Sequence, residues 1–315
     1  MKKVVYVTGC LGFIGYHVTK KCLDAGYYVF GIDKKTYASN LNFLPELEKS
    51  IKFKFLESDI NDIDRIHDCD YIINTAAETH VDNSIASSDV FLQSNINGVH
   101  KLLELIKALP KARRPVLLHF STDEVYGDIA EGFHTETDLL KPSNPYSATK
   151  AAADMLVTAW ARTYDVPYVI VRPTNNYGIG QYVEKFIPKA IKHLMLDRPI
   201  LMHDNGTPTR TWLHVSDTAS AVLTIIESGK VNETYNISGN YEEQNIVVAN
   251  KILKAYGIDK SDYLDHMDFS EKRQGQDVRY AIDDSKLKSL GWRPVANFDS
   301  RLKEIVKYYK EHFIW

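Results

Sequence analysis

Val4-Val5-Tyr6-Val7-Thr8-Gly9-Cys10-Leu11-Gly12-Phe13-Ile14-Gly15 decides the fold. Its first residues are apolar without alternation, as in a strand buried on both faces. The run then meets a turn with glycines at 9, 12 and 15, and a helical pattern follows. Glycine lets the backbone turn tightly and come close to a pyrophosphate, which the N-terminus of the next helix stabilises. Gly9, Gly12, Phe13, Ile14 and Gly15 are therefore candidate cofactor contacts. Asp33 closes the next apolar run, where a carboxylate can accept from adenosine ribose hydroxyls and repel a 2′-phosphate. The combination points to NAD rather than NADP. Asp59 and Ile60 follow the third such run and are placed beside the adenine, although an Asp in that position also suits a solvated loop.

Outward from this turn the same rhythm continues. Strand-like runs at 28–33, 52–57, 71–76, 116–121 and 168–172 alternate with helical patterns at 14–25 and 88–109 and one starting near Tyr146. Such alternation predicts an α/β fold, a doubly wound parallel sheet with helices on both faces. Past Pro173 the rhythm gives way to polar, turn-rich pieces mixed with helices. We therefore expect a dinucleotide-binding domain over 1–173, with return segments around 211–238, and a smaller substrate-binding lobe over 174–315.

Composition narrows the class. A net charge of −3 with no basic tail argues against a nucleic-acid binder. No stretch approaches the ~20 apolar residues of a membrane helix. The three cysteines, Cys10, Cys22 and Cys69, fit neither a disulfide framework nor a zinc site, so no metal is expected and a reducing cytosol is the natural compartment.

Two further clusters carry chemistry. Tyr146 and Lys150 stand four apart in a helical pattern and so share a face. A lysine beside a phenol can hold it near the phenolate form, which then takes a proton from a substrate hydroxyl as hydride leaves for the nicotinamide. Ser121-Thr122-Asp123-Glu124-Val125-Tyr126-Gly127 follows an apolar run. Thr122 can hydrogen-bond the same substrate oxygen. Asp123 and Glu124 offer an acid and a base, provided their environments differ; as a pair they could equally cap a helix.

With these motifs in view the chain resembles the nucleoside-diphosphate-sugar 4,6-dehydratases of the extended short-chain dehydrogenase/reductases, whose Gly-x-x-Gly-x-x-Gly spacing it shares. The likeness runs through Ala76-Ala77-Glu78-Thr79-His80-Val81-Asp82, Ser121 to Gly127, Asn144-Pro145-Tyr146-Ser147-Ala148-Thr149-Lys150 and Asn175-Asn176-Tyr177-Gly178. It continues through Glu184-Lys185-Phe186-Ile187-Pro188, Arg210-Thr211-Trp212-Leu213 and Arg273-Gln274-Gly275-Gln276-Asp277-Val278-Arg279-Tyr280. Related epimerases and decarboxylases usually lack the adjacent Asp-Glu.

The resemblance implies that Tyr146, Lys150 and Thr122 oxidise the sugar at C4, that Glu124 removes the C5 proton, and that Asp123 protonates the departing C6 hydroxyl. Reduction at C6 then restores NAD. It also implies Ala76 and Ala77 along the cofactor, Asn176 and Arg210 at the diphosphate with Arg273 or Arg279 as further candidates, and Glu184 and Lys185 facing the sugar. Each arginine could instead serve a surface ion pair, and Glu184-Lys185 could simply open a helix. A homodimer is implied too, and apolar residues along 90–109 and 151–160 suit a two-helix interface.

Two positions depart from the thymidine-type pattern. His203 stands where a base-stacking tyrosine is usual, and Asn83 where an arginine follows His-Val-Asp. Both resemble the dehydratase half of eukaryotic UDP-rhamnose synthases, so the expected substrate is UDP-glucose, with dTDP-glucose as the alternative. A UDP-N-acetylglucosamine 4,6-dehydratase, with or without inversion at C5, is a second reading. A non-catalytic dinucleotide sensor is a third, disfavoured by the intact set of Tyr146, Lys150, Asp123 and Glu124.

Overall fold

The computed structural model describes residues 3–270 and 277–312. Seven parallel strands form its main sheet: β1 (Val4–Thr8), β2 (Tyr28–Asp33), β3 (Phe53–Glu57), β4 (Tyr71–Asn74), β5 (Val116–Phe120), β6 (Tyr168–Pro173) and the strand Glu233–Ile237. Their order is β3-β2-β1-β4-β5-β6 and then Glu233–Ile237. The direction of winding reverses between β1 and β4, which opens a crevice at the carboxyl ends of these two strands, where open α/β sheets bind ligands.

Both faces of the sheet are covered, which explains the unbroken apolar runs. Val5 and Val7 of β1 pack with Val18, Cys22, Val222 and Ile225 on one side. Tyr6 between them, with Ile32 and Ile72, packs with Leu102, Leu103 and Ile106 on the other. A second core gathers Ile191, Trp212, Ile252, Phe298 and Leu302 beneath the smaller lobe. That lobe carries a three-stranded sheet of Asn175–Tyr177, Thr209–His214 and Tyr241–Gln244, and a two-stranded one of Ile200–Leu201 and Met267–Asp268.

Two elements depart from the expectation. The run at 71–76 ends as a strand at Asn74, whose side chain accepts from Thr8 Oγ1 at 2.6 Å. The helix expected over 88–109 is three pieces: Asp89–Phe91, a π-helical turn Leu92–Asn97, and Gly98–Ala108. The wide turn brings Asn95 inward, where it accepts from the Glu78 amide at 2.9 Å and donates to Glu78 O at 3.0 Å and Thr149 Oγ1 at 2.9 Å. It thereby ties the stretch after β4 to the Pro145–Tyr164 helix.

Candidate active site

The glycine turn folds as its sequence demands. Gly9 has φ +70°, and a Cβ there would lie 2.8 Å from the Ala76 backbone. A Cβ on Gly15 would lie 2.0 Å from Gly9 O. Gly12 caps the Phe13–Asp24 helix with no side-chain cap, leaving that N-terminus available to an anion. The Asp33 carboxylate accepts from Leu11 N at 3.0 Å, Lys35 N at 2.8 Å and Ser39 Oγ at 2.8 Å. An ionised carboxylate has about four acceptor positions, so one remains for a ribose hydroxyl. Lys34 pairs with Asp59 at 3.1 Å and Lys35 with Glu57, so the nearby cations that could hold a 2′-phosphate are occupied. The cradle fits NAD.

Three cavities of about 630, 1020 and 910 Å³ share walls and form one cleft. The first is lined by Gly9, Gly12, Asp33, Asp59, Ile60, Ala76 and Ala77. Phe13, Ile14, Gly15, Thr122, Asp123, Glu124, Tyr146 and Asn176 face the second. His203 and Arg210 line the third. Glu124, Glu184 and Lys185 border both the second and the third.

The reactive groups are fixed by local structure. Asn144 and Ser147 form a capping box and Pro145 opens the helix, which puts Tyr146 in its first turn and Lys150 one turn on. Thr122 caps the 3-10 turn Asp123–Tyr126. Its hydroxyl donates to Asp123 Oδ1 at 3.2 Å and is also hydrogen-bonded with Tyr146. Asp123 is 3% exposed. Burial, reinforced by Glu124, pushes its carboxyl up to about 8, so it is a protonated acid at neutral pH. The two neighbouring carboxyls thus have different environments.

A model of the GDP-mannose 4,6 dehydratase family matches residues 6–305. The chain is 40% identical to the dTDP-glucose 4,6-dehydratase of Xanthomonas campestris, over 98% of this chain and 93% of that one. The chain belongs to the NAD-dependent nucleotide-sugar 4,6-dehydratases. It is also 40% identical to the trifunctional UDP-glucose 4,6-dehydratase/UDP-4-keto-6-deoxy-D-glucose 3,5-epimerase/UDP-4-keto-L-rhamnose-reductase of Arabidopsis thaliana. That match covers 99% of this chain but 48% of the plant protein, so the dehydratase spans about half the length of that relative. DesIV, a dTDP-glucose 4,6-dehydratase of Streptomyces venezuelae solved with NAD and TYD bound, superposes with a TM-score of 0.92 at 33% identity, over 98% of this chain and 97% of that one.

Some expected site residues of the dehydratase lie elsewhere. Asn83 lines a fourth cavity with Tyr37 and Phe91, which shares Lys34, Thr36, Glu78 and Ser94 with the first, and its amide donates to Tyr37 OH at 3.4 Å. It does not line the cavity that His203 lines. Arg279 is paired with Glu242, donates to Gly132 O at 3.0 Å and lies over the Phe133 ring. Arg273 falls outside the described residues. Arg210 does face the cleft, its guanidinium fixed on Asp277 O at 3.0 Å and over the Tyr280 ring at 4.5 Å.

The phenol–lysine pair also differs from expectation. Lys150 Nζ donates to Phe120 O at 2.5 Å, and burial lowers its ammonium to about 8. Burial, then Glu124, raises the Tyr146 phenol, so the chain's own groups leave it protonated. Residues the motifs did not single out include Lys189 and Asn245 in the third cavity and Gln181 and Tyr182 in the second. Gln181, Tyr182 and Lys189 flank the Glu184–Pro188 motif, whereas Asn245 comes from a distant segment. Asn95 did carry a signal, being an amide inside an apolar helical pattern. Among the described residues no cluster of three or more His, Cys, Asp or Glu could hold a metal, and no helix is long and apolar enough to cross a membrane.

Proposed function

We propose that this chain converts a pyrimidine-nucleoside-diphosphate glucose to its 4-keto-6-deoxy product, with Tyr146, Glu124 and Asp123 as the proton-transferring groups. The observation that carries this reading is a buried, protonated Asp123 beside Glu124 in the cavity that Tyr146 and the glycine turn also line. NAD, which the glycine turn and Asp33 would hold, would supply the hydride acceptor for C4 and the hydride donor for C6. Tyr146 removes the C4 hydroxyl proton, with Thr122 and Lys150 in support. The new C4 ketone acidifies C5, whose proton Glu124 takes, while Asp123 gives its proton to the C6 hydroxyl as it leaves; when hydride reaches C6, Glu124 returns its proton to C5. Glu184 and Lys185 are proposed at the sugar, and Asn176 and Arg210 at the diphosphate.

For the nucleotide, thymidine is supported by the names of relatives that match this chain over nearly their whole length. Uridine is the second reading. It is favoured by His203 and Asn83, which both match the uridine-type pattern, and by the plant relative. A homodimer is proposed through the helical face that leaves Val90, Leu92 and Met155 exposed, and a cytosolic setting through three free cysteines.

The test is incubation with C4-deuterated dTDP-glucose or UDP-glucose, with UDP-N-acetylglucosamine as a third arm, followed by mass spectrometry. Deuterium should appear at C6 of a product lighter by one water, with no stoichiometric NADH released. NADH accumulating in step with product would mark a simple dehydrogenase and overturn the reading.

A further inference from the structure

Behind Tyr146 and Lys150 lies a set of buried charges with no part in the scheme above. Asp154, one helical turn beyond Lys150, is 2% exposed. Its Oδ2 accepts from Arg172 Nε at 3.0 Å, from Arg172 Nη2 at 3.0 Å and from Ser121 Oγ at 2.9 Å. Its Oδ1 is buried with no hydrogen-bond partner and lies 3.7 Å from His119 Nε2, which is also buried and without one. Asn74 Nδ2 lies 3.2 Å from His119 Nδ1, and Asn74 Oδ1 is taken by Thr8 Oγ1. The amide therefore donates to Nδ1, and Nε2 carries its hydrogen towards Asp154.

Two rungs thus join the Pro145–Tyr164 helix to the end of β5: Lys150 Nζ on Phe120 O, and Asp154 on the very next residue, Ser121. Burying a carboxylate costs several kcal/mol unless it is paired, and here the pairing is complete on one oxygen only. A carboxylate needed only for packing could as well have been a neutral amide. The unsaturated oxygen leaves a negative potential one turn from the buried ammonium.

We propose that Asp154 is a positioning residue for Lys150: its carboxylate, anchored by Arg172 and Ser121, holds the lysine charged and directed at the end of β5. The proposal rests on the reading that Lys150 takes part in the first oxidation. The charged and titratable groups around Lys150 and Tyr146 are Asp154 on their own helix, His119 on β5, Arg172 on β6, and Asp123 and Glu124 in the turn after β5. Burial, with Lys150 and Arg172 nearby, keeps His119 neutral, and Arg172 stays charged throughout. Asp154 is the group that favours the ammonium.

The test is the pH dependence of reduced-nicotinamide formation in single turnover with dTDP-glucose or UDP-glucose. It is run in an Asp123→Asn background, which stops after oxidation and removes that carboxyl's own titration. With Asp154 present the rate should fall as pH rises through about 8, where Lys150 loses its proton. Asp154→Asn removes the favourable charge and lowers the lysine's value, so this limb should move to lower pH by about one to two units. The NAD affinity of the sugar-free protein, followed by tryptophan fluorescence across the same range, should move with it. Asp154→Glu should restore most of the limb. If Asp154→Asn does not fold with Arg172 left unpaired, Asp154→Asn with Arg172→Gln is compared with Arg172→Gln alone, a pair that differs only in the Asp154 charge.

An unmoved limb in a folded, NAD-binding variant overturns the proposal. Lys150→Met separates the two levels. If that variant oxidises normally, Lys150 leaves the reaction and the proposal goes with it. If it is inert while the Asp154→Asn limb stays in place, only Asp154 is removed.

Discussion

Asp123 holds its proton at neutral pH because the turn after β5 buries it and sets Glu124 beside it. Its folded value lies above the unfolded one, so the stability it contributes is complete below about 3.8 and is lost as pH rises through about 8. Asp123→Asn should therefore unfold later than wild type above pH 8, in thermal melts across pH, while still binding NAD. Turnover should fall ~10²–10⁴-fold in Asp123→Asn and in Glu124→Gln, the usual contribution of a positioned acid or base. Near-normal turnover in both would make the pair a helix cap. A proton count adds a demand. In the proposed scheme Tyr146 gains the C4 hydroxyl proton, Asp123 gives one to the leaving oxygen and Glu124 ends as it began, so a proton must pass from phenol to carboxyl before the next round. Thr122 is hydrogen-bonded with both groups. Thr122→Val should then show a burst of one product per site followed by a slower steady rate, and Thr122→Ser should abolish the burst. A uniformly slow progress curve in Thr122→Val would place the reset elsewhere.

The elements that position these residues were readable to different depths. The glycine turn is local: strand, three glycines and helix lie within twelve residues, and each glycine's reason is steric. Gly15→Ala puts a methyl 2.0 Å from Gly9 O, so the turn must shift. NAD titration of that variant should show affinity lost by at least an order of magnitude, and unchanged affinity would mean the helix can slide. The capping box at Asn144 was equally plain, because cap and first turn are sequence neighbours. The π-turn at Leu92–Asn97 was not. An apolar period of about 3.6 continues on either side of it, and what widens the turn is Asn95 reaching Glu78 and Thr149 in other elements. Asp154 was hidden for a similar reason. On its helix it is one more polar residue, and only β5 and β6 show that it is buried.

At the scale of the molecule, the parallel sheet followed from alternation alone, while the cavity proposed for the nucleotide did not. Leu201 with His203, Arg210 and Asn245 meet from three separate segments of the smaller lobe. His203 and Asn83, which share one sequence pattern, line different cavities. Thymine and uracil differ by one methyl, worth about 1–3 kcal/mol in a pocket, so kcat/KM for the two sugar nucleotides should differ by no more than roughly 200-fold. His203→Tyr should change that ratio if the side chain meets the base, and Asn83→Arg should leave it in place. An unchanged ratio in His203→Tyr would remove the histidine from base reading. The division of the cleft has a thermodynamic consequence as well. The glycine turn belongs to the main sheet, whereas His203 and Arg210 belong to the smaller lobe, and Glu124, Glu184 and Lys185 stand at the seam. A ligand that touches one lobe protects one core; a ligand that touches both welds them into a single cooperative unit. In calorimetry, saturating nucleoside diphosphate added to the NAD-loaded protein should narrow the transition as well as raise it, by about 2.7 kcal/mol at a hundredfold excess over Kd.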